Sequence, residues 1–344
     1  MKENIWTKLD KNKEKKVSLE ELRKEWSEYE TYQKENNQDN LKYATFFNEF
    51  IVDFNKALSD EEYTCLKNAH QAVATSRQTK GSLTEKNTID LTANFLGRIS
   101  ENLQKKFLAY ASDSISISEE YDKSGCEYYK KVVNDKVEYY SKVRIKKTGT
   151  LYDVFVLVHE YFHSLTDVSD YKDKISLSKQ SIDIIQESIS ILGELACAKS
   201  LENDYPQETL NYLYWRIYEE MYSEIGAYRL LMKYNVALQK VESIEQLQEK
   251  FYLPEIIDVV RSRRIPISPN HILGTIASVE LLHGNNMEQI FGLLKIIYTK
   301  IDNQEIESVA NEFPKQINSH NFAEIVKSEI ASNNSDKAKE TKII

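Results

Sequence analysis

The sequence predicts a mainly α-helical protein with one small antiparallel β-sheet. Three observations carry that expectation. The 344-residue chain has only nine glycines and five prolines, too few for the tight turns of a sandwich, barrel or doubly wound sheet. Apolar residues recur at helical spacing over most of the length. Only residues 137–145 alternate convincingly with a period of two, setting Val137, Tyr139, Val143 and Ile145 against Glu138, Tyr140, Lys142 and Arg144, which is the strand signature.

Element by element, Ser18-x-x-Glu21 and Ser59-x-x-Glu62 have the form of capping boxes and start helices near residues 19 and 60. Residues 84–111 carry Ile89, Leu96, Ile99, Leu103, Phe107 and Leu108 at helical spacing. Residues 1–112 are therefore expected to form a helical N-terminal subdomain of three or four helices. Asn134-Asp135 suits a hairpin turn, with residues 128–133 as the partner strand of 137–145. Further helices are expected at 150–164, 178–201, 207–234, 244–261, 269–282, 287–301 and 315–331. Residues 113–332 make the second domain. The polar segment 333–344 reads as a disordered tail.

The charge balance restricts partners. Fifty-four acidic residues against 45 basic ones give a net charge of -9, which disfavours nonspecific nucleic-acid binding and anionic membrane surfaces. The lysine-rich start has no apolar core and does not read as a secretory leader. No apolar run approaches the ~18 residues of a membrane-spanning helix. Cys65, Cys126 and Cys197 are odd in number and far apart, unlike a disulfide framework or a cysteine zinc site. A soluble cytoplasmic protein is expected.

The informative segment is His159-Glu160-Tyr161-Phe162-His163. On a helix the two imidazoles stand at i and i+4, on one face, where both can reach one Zn²⁺. Glu160 then projects beside the open position of the metal and can take a proton from water. Thr150-x-x-Asp153 can cap the start of this helix. A third ligand is needed. Glu187 and Glu194 are seven apart on one face of the next strong helix, among isoleucine, leucine and alanine. Buried carboxylates in that setting call for a cation or strong donors. Glu187 is assigned as third ligand of one Zn²⁺ per chain. Glu194 is assigned to orient a ligand imidazole. Asp167, four after His163, has two readings: it holds a ligand imidazole, or it is an ordinary loop aspartate.

The run Gly149-Thr150-Leu151-x-Asp153-Val154-Phe155-x-Leu157-x-His159-Glu160-x-x-His163-Ser164 resembles the catalytic helix of oligoendopeptidase F, of the thimet oligopeptidase family of zinc metallopeptidases. Glu187-x-x-Ser190-x-x-x-Glu194 is similar to that family's second zinc-site helix, and the gap between the motifs also matches. The strong resemblance covers about residues 148–198. It implies a zincin-like, mainly helical fold with a small sheet beside the active-site helix. It also implies His159, His163 and Glu187 as zinc ligands and Glu160 as general base. In the family an edge strand pairs with extended peptide substrate, which is β-augmentation, and residues 137–145 are expected in that place.

The sequence departs from the family in three ways. The chain is much shorter, mainly before the zinc motif. The late tyrosines that stabilise the oxyanion are missing, and His271 falls where one of them would be. Tyr161 and Phe162 replace a smaller pair, typically Leu-Gly, so Phe162 is expected to reshape the wall of the site. His271 reads either as the oxyanion donor or as a surface or capping histidine. Tyr218 or Tyr222 are further sources of a phenol. Arg261, Arg263 and Arg264 form either a peptide-carboxylate site or a solvated charge run. His283 reads as structural at a helix end, and His70 and His320 have no evident partner. The expected function is zinc-dependent hydrolysis of peptide bonds, in oligopeptides. The rival is a zinc-containing peptide-binding or regulatory protein with little turnover; retention of Glu160 argues for the enzyme.

Overall fold

A computed structural model describes residues 17–36, 38–78, 81–133, 136–169, 171–263, 269–314 and 317–340. Among them the chain opens with α1 (Leu19–Asn36), α2 (Gln38–Ala57), α3 (Asp60–Ser76), α4 (Glu85–Ile99) and α5 (Glu101–Ser114). Strands β1 (Ile115–Ser118), β2 (Gly125–Val133) and β3 (Lys136–Lys146) follow. Then come α6 (Leu151–Leu165), α7 (Lys179–Ser200), α8 (Pro206–Tyr218), a π-helical stretch (Glu219–Glu224) and α9 (Ile225–Leu238). The chain ends with α10 (Ile244–Gln248), α11 (Leu253–Arg261), α12 (Pro269–Gly284), α13 (Met287–Asp302), α14 (Ile306–Val309) and α15 (Ser319–Glu340). The protein is mainly helical with one small sheet, as expected.

Both capping boxes form. Ser18 and Glu21 exchange side-chain and backbone bonds at 2.8 and 3.1 Å, and Ser59 and Glu62 do the same at the start of α3. The expected helix 207–234 is broken by the π stretch, and 244–261 is broken before Pro254, which occupies the first turn of α11. The last helix continues to Glu340, into the segment expected to be disordered. That segment contains Lys, Ala and Glu and neither glycine nor proline, so polarity alone did not end the helix. Residues 341–344 and the expected Asn134-Asp135 turn lie outside the described residues.

The sheet corrects two expectations. Its order is β1-β3-β2, with β2 antiparallel to β3 and β1 parallel to it. It is mixed rather than antiparallel, and 137–145 lies in the central strand, not an edge. Ile115 pairs with Val143 on one side of β3, and Cys126 pairs with the same Val143 on the other. Burial explains the choice: Val143 and Ile145 are fully enclosed, which suits a strand covered on both sides. β1 shows only two alternating isoleucines, too short a signal to read as a strand.

The chain divides into two units, Met1–Asn48 with Glu224–Ile267, and Glu49–Ser223 with Ser268–Ile344, rather than at residue 112. The first unit has its own core. Leu22, Trp26 and Tyr29 of α1 pack with Leu231, Tyr234 and Leu238 of α9 and Ile256 and Val260 of α11. Such pairing between segments about 200 residues apart leaves no local trace in sequence. The basic cluster belongs to this unit. Arg261 binds Glu25 at 2.8 Å, and Arg263 lies 4.7 Å from the Tyr32 ring centroid; Arg264 is outside the described residues.

In the second unit, α6 is buried almost all round, as its unbroken run of Val, Phe and Leu requires. Phe107 of α5 meets Tyr161 edge to face at 4.9 Å. Two glycines set how closely helices approach α7. A Cβ on Gly193 would stand 2.5 Å from the Phe162 ring, so the bulk of Phe162 on α6 is taken up by a missing side chain on α7. A Cβ on Gly274 of α12 would stand 2.8 Å from Ile191 Cδ1 and 3.2 Å from Ser188 Cα. That close crossing brings His271, one turn earlier on α12, to Glu187. No helix among the described residues is long and apolar enough to cross a membrane.

Candidate metal centre

Helices α6 and α7 bring the three expected ligands together. His159 and His163 lie one turn apart, with their Nε2 atoms 3.0 Å from each other. Glu187 stands with Oε1 3.4 Å from His163 Nε2 and Oε2 3.7 Å from His159 Nε2. Ligands bonded at 2.0–2.1 Å around a tetrahedral zinc are separated by about 3.4 Å. The three observed separations bracket that value, so the donor set fits a zinc ion. His159, His163 and Glu187 are also the metal-competent cluster found among the described residues.

The surrounding groups fix this arrangement. Glu194, only 2 % exposed, sets its Oε2 2.8 Å from His159 Nδ1, a charge contact on the far side of the ring from His159 Nε2, which faces Glu187. On its other side stands Arg216, 7 % exposed, with Nε 3.6 Å from Glu194 Oε1 and Nη1 3.5 Å from Glu220 Oε1. Glu220, 2 % exposed, lies 3.7 Å from His271 Nδ1, and His271 Nε2 lies 3.3 Å from Glu187 Oε1. A chain of charges thus runs from His159 through Glu194, Arg216 and Glu220 to His271.

Three largely buried carboxylates face one guanidinium here. A low-dielectric site with that imbalance draws in cations, and protons compete with metal for it. Burial disfavours a charged His159, but Glu194, Glu160 and Glu187 outweigh burial and raise its pKa. Burial likewise disfavours charge on His271, yet Glu187 and Glu220 push its imidazole up to about 10. Burial would raise both carboxyls, but His163 and His271 hold Glu187 well below the ordinary range. Arg216 and His159 do the same for Glu194.

Glu160 lies on a different stripe of α6. Tyr152, Val156 and Glu160, at i, i+4 and i+8, line a cleft of about 510 Å³ into which His159, His271 and Arg216 also face. That volume is ordinary for a ligand site. On the sheet side, burial and then the Glu160 carboxylate push the Cys126 thiol of β2 up to about 12. The Tyr128 hydroxyl of β2 donates to the His163 carbonyl at 2.9 Å. β2, an edge strand, therefore lies beside the site.

Several expected roles fall elsewhere. Asp167 does not hold an imidazole; its Oδ1 accepts from Ser169 N and Oγ at 2.9 and 2.6 Å, a local turn bond. Thr150 makes no side-chain cap. Asp153 instead points inward, 1 % exposed, and accepts from Thr148 N, Thr148 Oγ1 and Gly149 N at 2.9, 2.6 and 2.8 Å. Phe162 is buried against Gly193 and forms no wall of the cleft. Tyr218 and Tyr222 pack on Tyr63 of α3, at 6.1 and 5.2 Å between ring centroids; the phenols lining the cleft are Tyr152 and Tyr212. His70 meets Glu219 at 2.7 Å, and His283 meets Glu329 at 3.0 Å.

Sequence reasoning missed Arg216 and Glu220. Their i, i+4 spacing was a visible signal, but it reads as an ordinary surface pair. Comparison with known proteins yields no match to a family model, to a curated protein or to a solved structure.

Proposed function

We propose that the protein is a zinc-dependent metallopeptidase that hydrolyses peptide bonds in oligopeptides, with a zincin-like site of the kind the oligoendopeptidase F resemblance implies. The convergence of His159 Nε2, His163 Nε2 and Glu187 at 3.0–3.7 Å, with Glu160 facing the adjoining cleft, carries this reading. His159, His163 and Glu187 hold the ion, one per chain. When bound, zinc supplies Lewis acidity and lowers the pKa of water.

The other steps belong to side chains of this chain. Glu160 takes a proton from the attacking water and passes it to the departing amine nitrogen as the C–N bond breaks. His271, held by Glu187 and Glu220, donates to the carbonyl oxygen as negative charge develops there. Glu194 keeps His159 in its ligating orientation. Extended substrate adds to the sheet along β2, which takes the role first assigned to 137–145. A cytoplasmic setting and a peptide partner, without nucleic acid or membrane, belong to the same proposal.

Metal analysis of purified protein, with Glu187→Ala beside the wild type, tests the site. Undiminished zinc in Glu187→Ala sinks the ligand assignment. Digestion of a mixed peptide library tests the activity, with cleavage expected from zinc-loaded wild type alone and not after chelation or in Glu160→Gln. The missing late tyrosines favour the rival reading, a zinc-containing peptide-binding protein. That reading stands if zinc-loaded wild type retains peptides without cutting them.

A further inference from the structure

The cleft has two chemically different ends. At one end are the carboxylates and imidazoles of the metal centre. At the other, the same cavity is lined by Arg77, Lys123 and Lys146, with Asp122 as the one acid among them. The chain as a whole carries -9, so this local excess of cations runs against its background field.

Arg77 follows the last residue of α3, and its guanidinium lies 4.5 Å from the ring centroid of Tyr152, itself a cleft residue. Stacking of this kind orients the planar fork and leaves its N–H edges available. Among the described residues no carboxylate pairs with Arg77, Lys123 or Lys146 in an ion pair. Lys146 is anchored at its Nζ by the Asp122 carbonyl at 3.0 Å, and its backbone N–H donates to Ser124 Oγ at 2.9 Å. These bonds tie the loop bearing Lys123 to the end of β3. Val156 separates the two groups along α6, and beside it Tyr152 and Trp215 meet edge to face at 5.8 Å, an apolar surface flanked by Arg77 and Arg216.

The geometry points to a carboxylate-binding subsite at Arg77, Lys123 and Lys146, which selects peptides carrying a carboxylate near the bond to be cut. This rests on the peptidase reading above. Arg261 and Arg263, the candidates for such a group in the sequence, are taken up by Glu25 and Tyr32; Arg77, just after α3, and Lys123 and Lys146 by the sheet line the cleft instead. Two sources present the same chemistry, a C-terminal carboxylate and an Asp or Glu side chain. Arg77 takes the carboxylate through paired N–H donors. The two lysines add point charge, and the apolar stretch receives the intervening side chain.

The test uses full-length, zinc-loaded protein and matched short peptides of alanine and leucine. One set varies the terminus, free acid against amide. The other scans Glu against Gln through the internal positions. Wild type is expected to favour one carboxylate source by at least about 10-fold in kcat/KM, the lower range for a charge-assisted contact. Arg77→Met and Lys146→Met are expected to erase that preference, bringing the ratio of kcat/KM for acidic over neutral peptides to about 1. A terminal preference identifies the C-terminus as the source, and a positional Glu preference identifies the side chain. Binding of the same peptides to zinc-loaded Glu160→Gln, read by calorimetry, separates the two readings. Carboxylate-dependent binding lost in Arg77→Met supports the subsite even if wild type cuts nothing, in which case only the peptidase reading falls. Equal handling of acidic and neutral peptides, unchanged by Arg77→Met in both cleavage and binding, overturns the subsite.

Discussion

Replacing Glu194 tests how the metal centre is held. Glu194 touches no metal in the proposed site; it acts through its carboxylate, 2.8 Å from His159 Nδ1. Partners of this kind are worth roughly 10–100-fold in metal affinity, about 1.4–2.7 kcal/mol. Two variants divide that range. Glu194→Gln keeps an acceptor for Nδ1–H but removes the charge, and a loss near ~10-fold is expected. Glu194→Ala removes the acceptor as well, frees the imidazole to rotate, and should approach ~100-fold. The same change affects folding. Arg216 loses its 3.6 Å partner and keeps only Glu220 at 3.5 Å. Breaking a buried pair costs roughly 3–5 kcal/mol, and the remaining carboxylate puts the expected loss near ~3 kcal/mol. Zinc affinity is read by competition against a chromogenic chelator at fixed pH, and folding by denaturant titration of the chelated protein. Folded Glu194→Ala that binds zinc as tightly as wild type would refute the orienting role of Glu194.

Three further predictions follow from the same contacts. Gly274→Val places a branched side chain where a Cβ alone meets Ile191 at 2.8 Å. It is expected to move His271 from Glu187 and lower kcat by about 10²-fold with zinc content retained; unchanged kcat with α12 intact removes His271 from the mechanism. Asp153→Ala strands the buried N–H groups of Thr148 and Gly149 and should cost about 3 kcal/mol in urea unfolding, with a loss under ~1 kcal/mol excluding the inward role. His271, whose folded pKa is raised to about 10, gives stability that is full below its unfolded value of about 6.5 and is lost as pH rises through about 10. The melting temperature of chelated protein should therefore fall between pH 7 and 10, and a His271→Asn variant should lack that component.

What could be read from sequence was whatever depends on spacing within one element. The i, i+4 pair His159 and His163 and the i, i+7 pair Glu187 and Glu194 are properties of a helix, and α6 and α7 place them accordingly. The capping boxes at Ser18 and Ser59 are local in the same sense. What escaped was set between elements. Asp153 was read as half of a cap because its spacing from Thr150 allows one, but three backbone and hydroxyl donors just before the helix take its carboxylate. Phe162 was expected to crowd the site because only its own size was visible; the compensating space lies at Gly193, 31 residues later. The strand 137–145 was correctly extended but wrongly placed, since an edge and a centre differ by what pairs on the second side, and β1 is four residues long.

The least legible part was the charge chain beyond Glu194, which runs from α8 into the π-helical stretch. Residues 207–234 show aromatic residues at nearly helical spacing, which predicts one straight helix. A single straight helix keeps one face towards the core throughout. The π turns at Glu219–Glu224 follow directly on α8; Arg216 before them and Glu220 within them are both buried, while Tyr218 and Tyr222 meet Tyr63 of α3. Such stretches cost regular hydrogen bonding and recur at functional sites. One guanidinium stands here between two carboxylates, each of which meets an imidazole that also lies within 3.7 Å of Glu187. Removing Arg216 would leave Glu194 and Glu220 to repel each other within a low-dielectric pocket, and adding a divalent cation at Glu187 relieves the same excess charge from the other direction. The arrangement therefore ties the orientation of His159 on α6 and His271 on α12 to one buried side chain on α8.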